Sequence, residues 1–210
     1  MPQEPNPQRR SEKSRTAIIE AALELCAEHG YGHVTVEAIA ARAKVSKKTI
    51  YRWWPSKGAV VLDALDETVN PAIAFPDTGD LRADLEAQMW GLLHGVMAEP
   101  RTGRALTGLI ADTQHDPDLA RSLNADLIQP RADEARARLT KARAAGQLDP
   151  DADLDLALEL LYGPVYYRLL LHQGDLHTRA ELGALIDHVL SALAPKGKAL
   201  ARSTVLDQDH

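Results

Sequence analysis

Behind Ser46 the chain reads Lys47, Lys48, Thr49, Ile50, Tyr51, Arg52, Trp53. Two ammonium groups and a guanidinium supply positive charge. The hydroxyls of Ser46, Thr49 and Tyr51 supply short-range hydrogen bonds, and Trp53 adds a flat face. Together these groups suit a surface of repeated anions carrying polar edges. Thr49 is short enough to touch a base edge or a thymine methyl. Ser46 is a preferred helix N-cap, whose hydroxyl accepts a bond from a free backbone N–H. The N–H groups and positive dipole end of a helix starting there favour an anion at the same place. A charge pair by itself reads more plainly as the solvated face of an amphipathic helix. Here it coincides with a helix start, a hydroxyl-rich first turn and aromatics beside it, which favours nucleic acid.

The preceding residues position this tip. Val36, Ile39, Ala40 and Ala43 recur at i, i+3, i+4 and i+7, one face of a short helix that Thr35 caps. A break at Lys44-Val45-Ser46 separates it from the basic helix, on which Ile50 turns to the opposite, inner side. Two helices joined by a tight turn, the second polar and basic, have the layout of a helix-turn-helix over about residues 35–54. Lys47, Lys48, Thr49 and Arg52 are expected at or near bases. Thr35, Ser46, Tyr51, Trp53 and Lys57 are expected on phosphate, where contacts position without reading sequence. Ser56 is expected to cap a further helix, which puts Lys57 in its first turn.

The run from Thr16 to Leu65 resembles the N-terminal domain of the TetR (tetracycline-repressor) family of bacterial transcriptional regulators. The resemblance rests on Ala22, Gly30, Tyr31, Thr35, Ile39, Ala40, Ala43, Val45, Ser46, Thr49, Ile50, Tyr51 and Lys57 in one register. Lys44 stands where that family has its turn glycine, and Trp54 where it has Phe. Lys44 must then take a turn conformation that costs more than glycine would. The stretches GLIADTQHDPDLARSL and LLYGPVYYRLLL resemble, less specifically, the C-terminal domain of one subgroup.

With 210 residues, 45% of them apolar and none in alternating runs, the class is all-α, with about nine helices. The net charge of −6 hides an asymmetry: residues 1–58 hold ten Lys/Arg against six Asp/Glu (+4), and 59–210 hold fourteen against twenty-four (−10). The basic footprint is local, and the acidic remainder is held away from phosphate. Cys26 is the only cysteine. It falls on an apolar face beside Ala22 and Leu25, as a small core residue rather than a redox sensor. No signal peptide and no apolar run of membrane-spanning length is evident, so a cytoplasmic location is expected.

Residues 1–10 (MPQEPNPQRR) read as a disordered basic arm, for which minor-groove entry of Arg9 and Arg10 and a solvated tail are both open. Residues 11–57 form the DNA-binding domain, with its first helix over 12–29, Gly30 beyond that helix, and Val34 and Trp54 completing the small core. Residues 58–195 form a helical ligand-binding and dimerisation domain, and 196–210 a flexible tail. Helices are expected at 57–70, ended by Pro71, and at 81–98 and 101–114. A long one is expected at 117–145, opened by Asp116-Pro117, interrupted at Pro130 and stopped by Gly146. The last two are expected at 152–172 and 179–194, with a capping box of Thr178 and Glu181.

Those last two helices are widely apolar. Leu154, Leu158, Leu161 and Val165 on one, and Leu182, Leu185, Ile186, Val189, Leu190 and Leu193 on the other, suit either a four-helix contact between two subunits or a core within one. The family resemblance implies the homodimer. It also implies a small-molecule effector among the middle helices. The candidates there are Met89, Trp90, Leu93, His94, Met97 and Leu106, then Leu109, Ile110, Gln114, Tyr162, Tyr166 and Tyr167. An apolar pocket with a few polar groups is the expected chemistry. For each of these residues taken singly, plain core packing is the stronger reading than ligand contact. His94, Gln114 and the tyrosines stand out, because an apolar core does not need their polar atoms.

Enzymatic readings find little support. The chain has no glycine-rich phosphate loop, no H-E-x-x-H and no nucleophile elbow. His29 and His33 are separated by two glycines, and His172 and His177 straddle a turn, so neither a metal centre nor a cofactor is expected. The sequence therefore points to a homodimeric DNA-binding regulator, a repressor released by a ligand from an inverted-repeat operator in double-stranded DNA. The competing expectation is a helical ligand- or partner-binding protein with a vestigial DNA head.

Overall fold

The computed structural model describes residues 7–172 and 178–195. Among these residues every regular element is helical. The chain forms α1 (Pro7–His29), a 3-10 turn (Tyr31–His33), α2 (Val36–Arg42), α3 (Lys47–Tyr51) and α4 (Lys57–Ala72). It continues as α5 (Leu81–Trp90), α6 (Pro100–Thr113), α7 (Pro117–Ser122), α8 (Gln129–Ala144), α9 (Leu154–Leu171) and α10 (Arg179–Ala192).

Several boundaries are set by the expected chemistry. Gly30, at φ 77°, closes α1 by donating its N–H to the Cys26 carbonyl at 2.9 Å. Asp116 caps α7 through its carboxylate, with Pro117 in the first turn, where a missing N–H costs nothing. Gly146, at φ 73°, stops α8. Thr178 and Glu181 form the reciprocal capping box of α10.

Other boundaries differ from expectation. α1 begins at Pro7, so Pro7–Arg10 are helical and not a disordered arm. Proline is well suited to a first helical turn. Residues 1–6 of the expected arm and the whole tail 196–210 lie outside the described residues. Pro71 does not end α4, which continues to Ala72. A proline so near a helix end removes a single bond, and the helix closes just after it. The helix expected over 81–98 is α-helical only to Trp90 and then widens to a π-helical stretch, Gly91–Met97, which holds Gly91 and Gly95. Pro130 does not break the long run. It sits in the first turn of α8, and the residues before it, Leu123–Ile128, take up a π-helical register that relieves the ring's crowding of the carbonyl four residues back.

By compactness the described chain divides into two units that differ from the boundary expected at 57/58. The first joins residues up to 72 with 94–129; the second joins 73–93 with the chain from 130 on. In the first, Ile18, Ala22, Cys26, Ile39, Ile50, Val61 and Leu65 are fully buried. In the second, Leu85, Met89, Leu139, Leu161, Leu182 and Ile186 are. The second core also holds an ion pair. Asp84 accepts from Arg138 Nε at 2.7 Å and from the Thr78 hydroxyl at 2.6 Å, tying α5 to α8 and to the loop before α5. Burial alone would raise the Asp84 carboxyl, but the bonds from Thr78 and Arg138 outweigh it and hold the group below its ordinary value.

Candidate nucleic-acid interface

The head is assembled on α1. Arg42 of α2 reaches back to Glu28 at 2.7 Å and Glu24 at 3.2 Å on α1. Arg15 of α1 grips Asp63 of α4 through both carboxylate oxygens, at 2.7 and 2.8 Å, and also meets Glu67. Trp54 is buried as expected, its indole N–H donating to Asp63 at 2.8 Å. Its larger ring in the Phe position is thus served by one extra polar bond.

Between α2 and α3, Lys44 adopts φ 55°, the left-handed conformation that its place in the turn demands. Ser46 then caps α3, its hydroxyl accepting from Thr49 N at 3.1 Å and lying 2.9 Å from the Thr49 hydroxyl. Ile50 is fully buried, Thr49 is half-buried, and the other residues of α3 are exposed. Lys48 and Arg52 are exposed, Tyr51 is 54% exposed and Trp53 42%. Lys47 is exposed but paired with Glu37 at 2.9 Å, a bond that raises its pKa and lowers that of Glu37. Arg52 lies 5.6 Å from the centroid of the Trp53 ring. Thr35 caps α2 by accepting from Ala38 N at 3.1 Å, and Ser56 caps α4 by accepting from Ala59 N at 3.2 Å.

Lys57 differs from the others. It is half-buried, its ammonium 4.3 Å from the Tyr31 ring centroid and donating to the Tyr31 carbonyl at 3.3 Å. An ammonium has three donors, so a phosphate would meet only those left over. Beside Trp53 and Trp54 opens a cleft of about 540 Å³ in the same unit. Asp63, Asp66, Asp116, Asp118 and Asp126 line it, and this acidity repels phosphate and marks the edge of the basic face.

The effector candidates divide between the units. His94, Met97, Leu106, Leu109, Ile110 and Gln114 belong to the first, and Met89, Trp90, Leu93, Tyr162, Tyr166 and Tyr167 to the second. His94, Gln114 and Tyr167 are exposed; Met89, Leu93, Met97, Leu106 and Leu109 are buried. Trp90 carries the Arg179 guanidinium 4.6 Å from its ring centroid. Tyr162 donates its hydroxyl to Gln88 at 2.7 Å. Gln88, buried on α5, is a polar group that the pattern reading missed. It stands in register with Leu81, Leu85 and Leu92 on the apolar stripe, and a lone amide there was the signal.

The ten residues expected between subunits divide by burial. Leu154, Leu158, Leu161, Val165, Leu182, Ile186, Val189 and Leu193 are buried within one subunit, while Leu185 and Leu190 are half-buried. The eight buried ones therefore hold α9 and α10 in their own unit. The uncovered apolar side of α9 is another stripe: Leu156, Leu160, Tyr167, Leu170 and Leu171, all at least 40% exposed.

Cys26 is completely buried, and burial pushes its thiol up to about 11, against the opposing charge of Lys57. It is a protonated core residue. Among the described residues no group of three or more His, Cys, Asp or Glu is placed to hold a metal ion, and no helix is long and apolar enough to cross a membrane.

Comparison with known proteins agrees with this geometry. Residues 18–64 match the family described as bacterial regulatory proteins, tetR family, and residues 75–189 match the tetracyclin repressor-like C-terminal domain. The HTH-type transcriptional regulator YdeS of Bacillus subtilis (strain 168) is 38% identical over 79% of this chain and 82% of its own length. The DNA-binding transcriptional repressor TetR of Mycobacteroides abscessus is 32% identical over 90% of this chain and 97% of its own. Among solved structures, the TetR family transcription regulator SCO0332 superimposes with a TM-score of 0.72 at 40% identity, covering 87% of this chain and all of that one. The flavonoid-responsive regulator FrrA superimposes with a TM-score of 0.64 at 27% identity, covering 88% and 99%.

Proposed function

Because the chain belongs to the TetR family of HTH-type transcriptional regulators, we propose that it is a homodimeric repressor that leaves an inverted-repeat operator when a small molecule binds. One observation carries the DNA-reading part. α3 buries Ile50 alone, and Lys48 and Tyr51 of the helix and Arg52 and Trp53 just after it are exposed on a scaffold fixed by Arg15, Arg42 and Trp54. Lys47, Lys48, Thr49 and Arg52 read bases or their immediate surroundings. Thr35, Ser46, Tyr51 and Trp53 hold phosphate, with Lys57 a lesser contributor because of its bonds to Tyr31. Two heads on successive major grooves require half-site centres about 34–36 Å apart.

The dimer uses the exposed stripe of α9. Leu156, Leu160 and Tyr167 are large exposed apolar side chains on one side of α9, of the kind that marks an interaction surface. The half-buried Leu185 and Leu190 of α10 are its companions. The polar pair Gln88 and Tyr162, set among apolar residues of the second unit, suits an effector with at least one hydrogen-bonding group. The effector releases DNA only to the extent that it prefers the unbound form. Reversing a 99:1 equilibrium takes about 5.5 kcal/mol of such preference.

Selection from random double-stranded DNA with the purified chain tests this reading. An enriched inverted repeat with one fixed spacing is the expected result. No enrichment would favour instead a helical ligand- or partner-binding protein whose head no longer reads DNA.

A further inference from the structure

Tyr31 does more than fill a core. It lies in the 3-10 turn between α1 and α2, and 2% of it is exposed. Its hydroxyl donates to Asp112 Oδ2 of α6 at 2.6 Å. One helical turn earlier on α6, Gly108 lies so close that a Cβ there would stand 2.3 Å from the Tyr31 Cβ. Residues four apart share a helix face, so Tyr31 grips α6 at two points one turn apart. Such a grip fixes both the rotation and the sliding of α6 against the turn.

The same residue is held from its other side by α4. The Lys57 ammonium sits over the ring and donates to the Tyr31 carbonyl. Gly58 follows, where a Cβ would be 3.4 Å from the Tyr31 hydroxyl oxygen. The entrance to α2, the start of α4 and the C-terminal half of α6 therefore meet at Tyr31. The close approach requires glycine at 108 whether residue 31 is Tyr or Phe, since the Tyr31 Cβ is common to both, but apolar packing would be met by Phe at 31. The hydroxyl and the carboxylate it meets are an excess that packing does not explain. Arg104 and Arg101 of α6 also fasten to α1, at the Ala27 carbonyl (2.5 Å) and Glu20 (2.6 Å), but these bonds are exposed and do not reach the turn.

We infer that Tyr31, gripped by Gly108 and Asp112, is a positioning residue for operator binding: it locks the angle of the α2–α3 head to the register of α6. This rests on the DNA-reading function proposed above. In a dimer the angle of each head sets the separation of the two reading helices. The latch is therefore a determinant of half-site spacing, and any shift of α6 must either carry the head with it or break the Tyr31–Asp112 bond.

The experiment uses the full chain, with Tyr31→Phe, Asp112→Asn and Asp112→Ala. Affinity is measured for the operator selected by the unaltered protein and for versions with half-sites moved apart by one and by two base pairs. Discrimination between the selected and altered spacings should fall about five- to tenfold in Tyr31→Phe and Asp112→Ala, the lower part of the usual range for coupling between sites. Asp112→Asn keeps an acceptor and should fall less. The double variant Tyr31→Phe/Asp112→Ala should be no worse than either single, because both remove one bond. Unchanged discrimination, or additive losses, would overturn the latch. A second arm needs no DNA. Hydrogen exchange at the amides of residues 30–34 and of α6 should quicken together in Tyr31→Phe and in Asp112→Ala. Unaltered exchange in both overturns the latch even if no operator is found, whereas failure of the unaltered protein to enrich any DNA counts against the DNA-reading function alone.

Discussion

α3 and α9 place their side chains in opposite ways. α3 spans five residues and buries only Ile50, so its orientation is decided by one apolar side chain and by caps at Ser46. α9 spans eighteen residues and buries Leu154, Ala157, Leu158, Leu161 and Val165 on one side, yet leaves Leu156, Leu160 and Tyr167 exposed on another. The short helix has almost no stability of its own and depends on its neighbours. With Ile50 its one buried side chain, most of its polar side chains lie at the surface. The long helix is apolar nearly all round, and such a helix needs cover on more than one side. One side is covered by its own unit, and the other is the side proposed above for a second subunit.

This contrast is broken most severely by attacking the interior that supports α9. Asp84→Ala leaves the buried Arg138 with only its longer pair to Asp77 at 3.6 Å, and losses approaching the about 3–5 kcal/mol usual for a broken buried pair are expected. Urea unfolding should show it as a lower midpoint. The same pair gives a pH test. The folded Asp84 carboxyl lies below its ordinary 3.8. Its contribution is therefore complete above that value and disappears as pH falls through the folded pKa. Acid unfolding of Asp84→Asn should lack that component.

Adjacent residues on α9 sharpen the contrast. Leu161→Ala empties a core site and should cost about 2–5 kcal/mol in urea unfolding. Leu160→Asp should leave the helical content intact but convert dimers to monomers in sedimentation. If Leu160→Asp stays dimeric, the exposed stripe is not the subunit contact.

At the head the expected effect is smaller and of opposite sign. Lys44 holds a left-handed conformation that costs a non-glycine residue about 1–2 kcal/mol. Lys44→Gly should raise stability by about 1 kcal/mol, read as a higher midpoint. An unchanged or lower midpoint would mean that the lysine side chain repays its strain elsewhere.

The head was legible because each of its signals is local. Thr35, Ser46 and Ser56 are caps, Ile50 is the one inward residue, and Lys44 carries the cost of a missing glycine. The packing around α9 was not legible in the same way. Leucine at 156, 158, 160 and 161 satisfies helical spacing on several faces, so periodicity cannot say which face the subunit covers. The buried polar groups were missed for a different reason. Asp84 and Gln88 lie on the apolar stripe of α5, and what holds them, Arg138 and Tyr162, is distant in sequence. The π-helical stretches at 91–97 and 123–128 likewise depend on backbone adjustments that residue types only hint at, through Gly91, Gly95 and Pro130. The compact units cut across the matched family domains, because α6 packs on α1 and α4 although it belongs by sequence to the C-terminal match.

The most direct test of the DNA-reading claim is the affinity for a selected operator as a function of salt, for the unaltered protein and for Lys48→Ala. The unaltered protein should lose affinity linearly in log K against log salt. Lys48→Ala should bind more weakly, with a slope shallower by about one if Lys48 meets a phosphate, or with relaxed sequence preference and little change of slope if it meets a base. Affinity, slope and preference all unchanged in Lys48→Ala would contradict the placement of α3 on DNA.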